Sequence, residues 1–351
     1  MISINDLAGR DCSWLHSPGE HDGIVVSSRI RLARNVAGIP FQRKLSKARQ
    51  QELVERLSEA MDKAAGWTGG LQVQLPRLSD AERQALVERQ LISRELAAAK
   101  RPSGVCISEN EIFSVMLNEE DHVRLQVIQA GASLERNLEL AVALDQSLER
   151  ELEWAYSQTY GYLTACHTNV GTGMRASIML HLPALAETGE LKQVLRALAK
   201  LHMTVRGTHG EGSEATGHYY QVSNLRSLGL QERDVVQSIS ETVDRIVAAE
   251  QMARQALLDK GRVRLEDKVH RAWGVLTNAR SLNTEELTEN ISWLRLGVAL
   301  RVLPQAKWST LDRITLQCQP AHLQLLHADA DDPAQRDPLR ATLVREWLCA
   351  N

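Results

Sequence analysis

The sequence predicts an α+β domain followed by an all-α domain. Up to about residue 225, short strand-like runs alternate with helical segments, and several of these runs follow one another without a helical crossover. Strands connected in that way pair antiparallel, so we expect a largely antiparallel sheet. After Gly229 the strand signal almost disappears and apolar residues recur at helical spacing. We therefore divide the chain into residues 1–228 and 229–351.

The elements of the first domain follow from local patterns. Residues 25–34 begin as a strand, 104–117 predict two short strands joined by a polar turn, and 175–182 predict a strand that ends at Pro183. Apolar residues at a period of about 3.6 predict the intervening helices. These helices are expected at 46–65, 80–99 and 131–150.

The second domain is predicted from the same helical period. Its helices are expected at 232–260, 266–281, 284–303 and 337–348. Asn283, followed three residues later by Glu286, resembles a capping box and marks the start of the third helix.

Composition excludes several classes of protein. The chain of 351 residues is 43% hydrophobic and 24% charged, which is typical of a soluble globular protein. A net charge of -3 excludes a generally basic nucleic-acid binder. Five cysteines, without a CxxC pair or zinc-ligand spacing, predict reduced thiols and no metal site. We find no signal peptide or membrane-length apolar run, so we expect a cytoplasmic protein without a membrane partner.

Four charged segments depart from the usual pattern of apolar strands and polar loops. They are SSRIR at 27–31, NEEDHVR at 118–124, CHTNVGTGMRAS at 166–177 and VRGTHGEGSE at 205–214. Because side chains alternate along a strand, Arg29 and Arg31 share one face. A solvated sheet face would explain one such pair. If the second segment continues the strand before it, Glu120, His122 and Arg124 also share a face.

These segments suit a phosphate site built from arginine side chains. Neither glycine-rich loop has the GxxxxGK[ST] order of a Walker A motif, and neither completes a dinucleotide fingerprint. Guanidinium binds phosphate oxygens bidentately and keeps its proton. Glu120 and Glu211 would then serve as a magnesium ligand, as a general base, or as a fork for a cationic substrate. Cys166 lies in a plausible thiolate environment, although a small buried residue would also fit.

Together the four segments stand in the order and spacing of the phosphagen (guanidino) kinase family, which includes the creatine and arginine kinases. YYQVSNLRSLGLQE also resembles the strand and turn that close that family's catalytic domain, so the resemblance covers roughly residues 22–230. It implies a phosphagen-kinase-like, glutamine-synthetase-like domain, in which a largely antiparallel sheet is flanked by helices.

The resemblance also implies a role for each matching residue. The residues implied to bind the phosphates of ATP are Arg29, Arg31, Arg124, Arg175 and Arg206. Ser28 would lie at the strand end near the phosphates, and His122 would support this nucleotide site by hydrogen bonding. Glu120 and Glu211 would hold the guanidinium of the acceptor, with Cys166 beside it. Mg²⁺ would be held mainly by the nucleotide and water.

Departures from the family pattern point to one branch of it. The segment SSR begins at residue 27, which leaves no room for the helical domain that caps the small-substrate pocket. His167 replaces a proline, Met179 replaces a histidine near the adenine, and His181 lies two residues further along the strand. With its helical second half, the chain resembles the bacterial protein-arginine kinases, which mark proteins for an AAA+ protease. This resemblance implies protein substrates with accessible arginines, a role in protein quality control and stress response, an AAA+ partner, a possible activator protein and a homodimer.

Residues 336–341 form an RDxxRA element in the last predicted helix. Arg336 and Arg340 are one helical turn apart. In the family this region resembles a phosphoarginine pocket that also includes Asp337, whereas an intrahelical Asp337–Arg340 pair on a solvated face is the alternative. Two other functions stay open: a small-molecule guanidino (arginine) kinase, and a phosphoarginine-binding adaptor without catalysis.

Overall fold

The computed structural model describes residues 3–15, 21, 23–67, 69–207 and 216–350. Its strands are β1 Val25–Arg34, β2 Gly70–Gln74, β3 Gly104–Ser108, β4 Phe113–Leu117, β5 Val123–Ala130, β6 Tyr156–Ser157, β7 Gly161–Tyr162, β8 Met174–His181, β9 Met203–Gly207 and β10 Tyr219–Asn224. Its helices are α1 Ile4–Ala8, α2 Lys47–Lys63, α3 Asp80–Glu88, α4 Arg94–Ala97, α5 Leu134–Glu149, α6 Pro183–Thr188, α7 Leu191–Lys200, α8 Glu232–Lys260, α9 Arg262–Asn278, α10 Thr284–Ala299, α11 Trp308–Gln317, α12 Pro320–Leu326 and α13 Pro333–Cys349.

A large antiparallel sheet organises the first half of the chain. Within the described residues it has eight strands in the order β2-β3-β4-β5-β1-β8-β10-β9, and β6 and β7 form a separate hairpin. The ten-residue strand β1 lies inside the sheet, where it pairs antiparallel with β5 on one side and β8 on the other. The predicted α+β class with a largely antiparallel sheet is confirmed.

One face of this sheet is buried beneath helices. Ile30 and Leu32 of β1 belong to a core that includes Leu57 of α2, Ala141 of α5 and Ile239 of α8. The buried face of α8 is thus part of the core of the sheet, and the core extends to residue 253, beyond the boundary predicted at residue 228. Helical periodicity identified α8 correctly but does not say which neighbour a helix packs against.

The helical second half has its own core. Apolar side chains of α9, α10, α11 and α13 pack together, with Val269, Leu294 and Ile314 almost fully buried. Helix α10 also reaches the sheet, because the Ser292 hydroxyl lies 2.7 Å from Nε2 of His181 on β8. Within the described residues, no helix has both the length and the apolar character needed to cross a bilayer.

Several helix boundaries differ from the predictions for local reasons. The helix expected at 80–99 is two helices, α3 and α4, because Gln90 adopts a left-handed conformation with φ 61° between them. The last helix begins at Pro333 rather than at residue 337, since Asp332 caps it through the N–H of Gln335. Helices α1, α6, α7, α11 and α12 were not predicted.

Candidate active site

The opposite face of the sheet carries five arginines, which we call the arginine face: Arg29 and Arg31 on β1, Arg124 on β5, Arg175 on β8 and Arg206 on β9. Arg31 lies opposite Arg175 on one side and opposite Gln126 on the other. Since side chains alternate along a strand, Arg29 and Arg124 point to the same side as these residues. The register places Arg29 and Arg31 on one face, as predicted. The neighbouring strands β5 and β8 add Arg124 and Arg175 to that face.

Arg206 reaches this face through β10. Gln221 lies opposite both Arg206 on β9 and Met179 on β8, so all three side chains share the side of Arg175. Glu211 follows β9 in the sequence, but it lies outside the described residues.

The arginine face is electrostatically strained. Burial, followed by the positive charges of Arg124 and Arg175, lowers the pKa of Arg29 to about 10. Burial and the guanidinium of Arg29 hold the pKa of Arg31 well below the usual arginine range. Nε of Arg31 is buried and has no hydrogen-bond partner among the described residues. An anion lying across the face would relieve this repulsion and supply the missing acceptors.

Two glutamines, neither of them predicted as a site residue, hold Arg29. Its Nη2 donates to Oε1 of Gln221 over 2.8 Å, and its Nη1 donates to Oε1 of Gln90 over 3.3 Å. Both acceptors are neutral, so they orient the guanidinium without cancelling its charge. The polar residue in the middle of strand 219–224 is the sequence signal that points to Gln221.

Residues 118–122 form a tight turn, so this segment does not continue strand 113–117, and the condition for Glu120, His122 and Arg124 to share a strand face is not met. Asn118 adopts a left-handed conformation with φ 58°, which reverses the chain between β4 and β5. The turn brings two carboxylates to Arg124: Glu119 lies 2.9 Å and Glu120 lies 3.4 Å from its Nη atoms. Glu119, also missed from the sequence, is buried and fixed by the Ser93 hydroxyl, whereas Glu120 is 35% exposed.

Of the two carboxylates paired with Arg124, Glu120 is therefore the one that a ligand can reach at the edge of the arginine face. Burial raises its pKa above the ordinary glutamate value, although the positive charge of Arg124 opposes the change. A carboxylate with a raised pKa is a stronger base than a solvated one.

The side chains of Ser28 and His122, which the family resemblance places at the nucleotide, bond to protein groups away from the arginine face. Ser28 points to the helical side of the sheet, where its hydroxyl donates to the carbonyl of Gly131 and accepts from the N–H of Ser133. His122 is buried, accepts at Nδ1 from the N–H of Val36 over 3.0 Å, and lies 3.0 Å from the Pro40 carbonyl through Nε2. Neither side chain has a polar atom left for phosphate.

The loop that carries Cys166 is tied to the turn that carries Glu120. Oδ1 of Asp121 accepts from the N–H of Ala165 over 2.6 Å and from Nδ2 of Asn35 over 2.7 Å. Cys166 is partly buried, and its Sγ lies 3.0 Å from the Thr168 hydroxyl. Cys166 and Glu120 are thus held on adjoining segments.

The residues of the RDxxRA element are divided between the surface and the interior of the helical domain. Arg340 is 1% exposed and donates to the carbonyls of Cys318 and Leu282 as well as to Asp337. Arg336 is partly exposed and donates to the carbonyl of Asp331 over 2.8 Å. The alternative of a fully solvated helix face is therefore wrong for Arg340.

Sheet and site together define a class of enzyme, and family comparisons agree. Residues 52–253 match the family "ATP:guanido phosphotransferase, C-terminal catalytic domain". The substrate-free duplicated taurocyamine kinase from Schistosoma mansoni has a TM-score of 0.60 at 27% identity, covering 81% of this chain and 41% of that one. Lombricine kinase, at 24% identity and a TM-score of 0.58, covers 72% of this chain and 71% of that one and supports the fold alone. The chain is an ATP:guanido phosphotransferase.

Matches to the second half of the chain and to full-length relatives identify one branch within this class of enzyme. Residues 262–351 match the family "Protein-arginine kinase McsB C-terminal domain". The protein-arginine kinase of Moorella thermoacetica is 43% identical over 97% of this chain and 98% of its own length. That of Geobacillus stearothermophilus is 40% identical over 96% of this chain and 93% of its own length. The chain belongs to the protein-arginine kinase branch of the phosphagen kinase family, and the predicted membership is confirmed.

Proposed function

We propose that the protein transfers the γ-phosphoryl group of ATP to a guanidinium nitrogen of arginine side chains within polypeptides. The observation that carries this proposal is the arginine face, which lies beside the partly exposed carboxylate of Glu120 in a member of the protein-arginine kinase family. The arginine face suits ATP, which donates the phosphoryl group, and the carboxylate suits the guanidinium that accepts it.

The arginine face binds the triphosphate. Five guanidiniums on four strands of a rigid sheet offer positive charge to the phosphates of ATP, so little reorganisation is needed when charge moves during transfer. Arg31, whose Nε is buried and has no partner among the described residues, would gain an acceptor from a bound phosphate.

The carboxylates bind the acceptor. Arginine is a poor nucleophile while protonated, because its pKa is above about 12. We propose that Glu120 and Glu211 align the guanidinium and that one of them takes a proton as a nitrogen attacks the γ-phosphorus. A P–N bond forms, the bond between the γ-phosphorus and the bridging oxygen breaks, and ADP leaves with that electron pair. Cys166 lies beside the acceptor in this arrangement.

Mg²⁺ fits this site as an ion carried by the nucleotide. The described residues contain no group of three His, Cys, Asp or Glu side chains placed to hold a metal. Near the arginine face, Glu119 is buried against Arg124, and Glu120 is the carboxylate assigned to the acceptor. We propose that phosphate oxygens and water coordinate the ion, which neutralises charge on the transferring phosphoryl group, while the protein positions the phosphates.

We further propose a cellular setting that follows the family. Phosphorylated proteins would pass to an AAA+ protease in the cytoplasm as part of protein quality control, with an activator protein where one is present, and the helical domain would mediate a homodimer. Arg336, on the surface side of the RDxxRA element, would contact phosphoarginine. Arg340 and Asp337 would fix the helix behind it.

A matched acceptor assay tests the proposed reaction. The enzyme receives ATP and Mg²⁺ with either free arginine or an unfolded arginine-containing protein, and products are identified by mass spectrometry at neutral pH. We expect phosphoarginine on protein, and a loss of roughly 100-fold or more in Glu120→Gln if that carboxylate acts as orienting group and base. Glu109→Gln, an exposed carboxamide control in the β3–β4 turn, should retain activity.

Other outcomes support the two alternative functions. Strong turnover of free arginine with none on protein would indicate a small-molecule guanidino kinase. Absence of transfer to both acceptors, together with binding of phosphoarginine that Arg336→Ala removes, would indicate an adaptor.

A further inference from the structure

A cleft distinct from the arginine face adjoins the loop that carries Cys166. Its volume is about 510 Å³, within the range of roughly 300–1,000 Å³ that ligand clefts occupy. Its walls are the β6–β7 hairpin, the backbone at 171–172 and the segment 228–232. Tyr156, Tyr160 and Leu228 line it and are 60%, 57% and 54% exposed. Large side chains of this kind are more often buried than gathered at an open cleft.

This cleft and the active site share one loop. The N–H of Tyr162 donates to the carbonyl of Gly171 over 2.8 Å, and the Ser227 hydroxyl lies within 3.0 Å of the carbonyls of Thr168 and Val170. A Cβ at Gly171 would lie 2.5 Å from the carbonyl oxygen of Ser227, so the close packing requires glycine there. The loop that starts at Cys166 therefore serves both sites.

The charge of the cleft favours a cationic occupant. Glu149 and Glu232 line it, whereas none of its described lining residues is a lysine, arginine or histidine. Tyrosines add flat apolar area together with hydroxyl groups, which is a combination that suits peptide recognition.

We propose that this cleft binds the polypeptide segment that flanks the target arginine, and that it favours segments carrying apolar and basic residues. The proposal rests on the proposed function and specifies its substrate. Unfolded segments expose apolar side chains, and the tyrosines and Leu228 offer them a surface. Glu149 and Glu232 attract a neighbouring lysine or arginine, so the second contact raises the local concentration of the acceptor at Glu120.

The test compares two acceptors in the full-length enzyme. One is a 15-residue peptide with a single arginine flanked by leucine and lysine, and the other is arginine capped as an amide at both ends. The measured quantity is the ratio of kcat/KM for the peptide to kcat/KM for the capped arginine. We expect Tyr160→Ser combined with Leu228→Ser to lower this ratio about fivefold or more, since loss of a cleft aromatic weakens binding at this scale.

Two further variants distinguish the effect of the negative charge of the cleft from the effect of changing exposed side chains elsewhere. Glu149→Gln combined with Glu232→Gln should lower the ratio for the lysine-flanked peptide and reduce its dependence on salt. Met252→Ser combined with Val263→Ser changes two side chains that are 75% and 82% exposed on the helices, and it should leave the ratio unchanged.

The results that overturn the proposal are distinct from those that overturn the proposed function. A ratio unchanged in the Tyr160 and Leu228 variant, or lowered equally by the Met252 and Val263 control, rules out the cleft as the docking site. A dimer that dissociates in the cleft variant but not in the control, by sedimentation, would show that a second copy covers the cleft and would also overturn it. If the wild type phosphorylates neither acceptor, binding of the fluorescently labelled 15-residue peptide is measured by fluorescence anisotropy. Weaker binding by the Tyr160 and Leu228 variant than by the wild type supports the cleft as the docking site, and equal binding overturns it.

Discussion

At the scale of single residues, the arginine face shows how a site can orient a cation without neutralising it. Arg124 is paired with carboxylates, but Arg29 is held by the neutral oxygens of Gln90 and Gln221. The charge of Arg29 is therefore not cancelled by its partners and would be available to the triphosphate that we propose binds there. A carboxylate in the same place would hold the guanidinium more strongly and would also compete with phosphate.

Changing Gln221 to glutamate should weaken nucleotide binding. The new carboxylate would lie about where the amide oxygen now accepts from Arg29, and cancelling that charge should raise the Kd for ATP about tenfold, the scale of one charged hydrogen bond. Titration with a fluorescent ATP analogue measures the change. Gln221→Met, which loses the hydrogen bond but adds no charge, should have a smaller effect. An equal or larger effect in the methionine variant would argue against the charge explanation.

Replacing Ser28 by alanine should affect stability but not nucleotide binding. Its hydroxyl is fully buried and joins Gly131 to Ser133, so its loss should lower the free energy of unfolding by about 1–3 kcal/mol. Urea unfolding and ATP titration measure the two effects on one sample. Weakened ATP binding without destabilisation would restore the role that family resemblance gave to Ser28.

At the scale of elements, α8 links the two halves of the chain. Val235, Ile239 and Val243 are buried against the sheet. Glu250 accepts hydrogen bonds from the first two N–H groups of α6, those of Ala184 and Leu185. Burial raises the pKa of Glu250, while Arg254 beside it opposes this. In the sequence, α8 is the first helix of the helical half. In the structure, its buried side chains belong to the core of the sheet domain.

Truncating Ile239 should therefore destabilise the catalytic domain. Ile239→Ala removes a fully buried side chain and should cost about 2–5 kcal/mol, with loss of kinase activity at lower urea concentration. Val263→Ala, at an exposed position on α9, should change neither. If kinase activity resisted urea as in the wild type while a separate transition moved, α8 would belong to the helical domain instead.

At the scale of the whole molecule, a buried polar contact joins the helical domain to the sheet. The Ser292 hydroxyl of α10 lies 2.7 Å from Nε2 of His181 and 2.8 Å from Nδ1 of His218. Burial lowers the pKa of both histidines, and the positive charges of Arg295 and Arg254 lower that of His181 further. His218 also follows the segment that contains Glu211 in sequence.

This contact should make stability depend on pH near neutrality. The unfolded histidines, with a pKa of about 6.5, bind protons that the folded ones resist, so protonation favours unfolding. The free energy of unfolding should be highest above pH 6.5 and fall as pH drops below it, by at most about 1.4 kcal/mol per pH unit for each histidine. Denaturation at a series of pH values measures the slope. His181→Gln, which keeps a donor for Ser292, should reduce it, and an unchanged slope would place the proton uptake elsewhere.

The parts of the site that sequence could predict are those governed by the two-residue alternation of a strand. Arg29 and Arg31 share a face for that reason, and Ser28, which has the parity of Ile30, belongs on the other side. Family resemblance placed Ser28 at the phosphates, whereas its side chain lies on the helical side of the sheet. Glu119 was missed because an extended strand was assumed where the left-handed Asn118 makes a turn.

The sequence by itself determined the family, the α+β order and the helical period of the second half, because motifs and periodicity are local properties of the chain. Only the tertiary structure decided that Gln90 and Gln221 hold Arg29, that α8 completes the core of the sheet, and that Arg340 lies inside its domain. Gln221 is 192 residues from Arg29 in the chain. Contacts across such separations depend on strand order and helix packing, which no local pattern encodes.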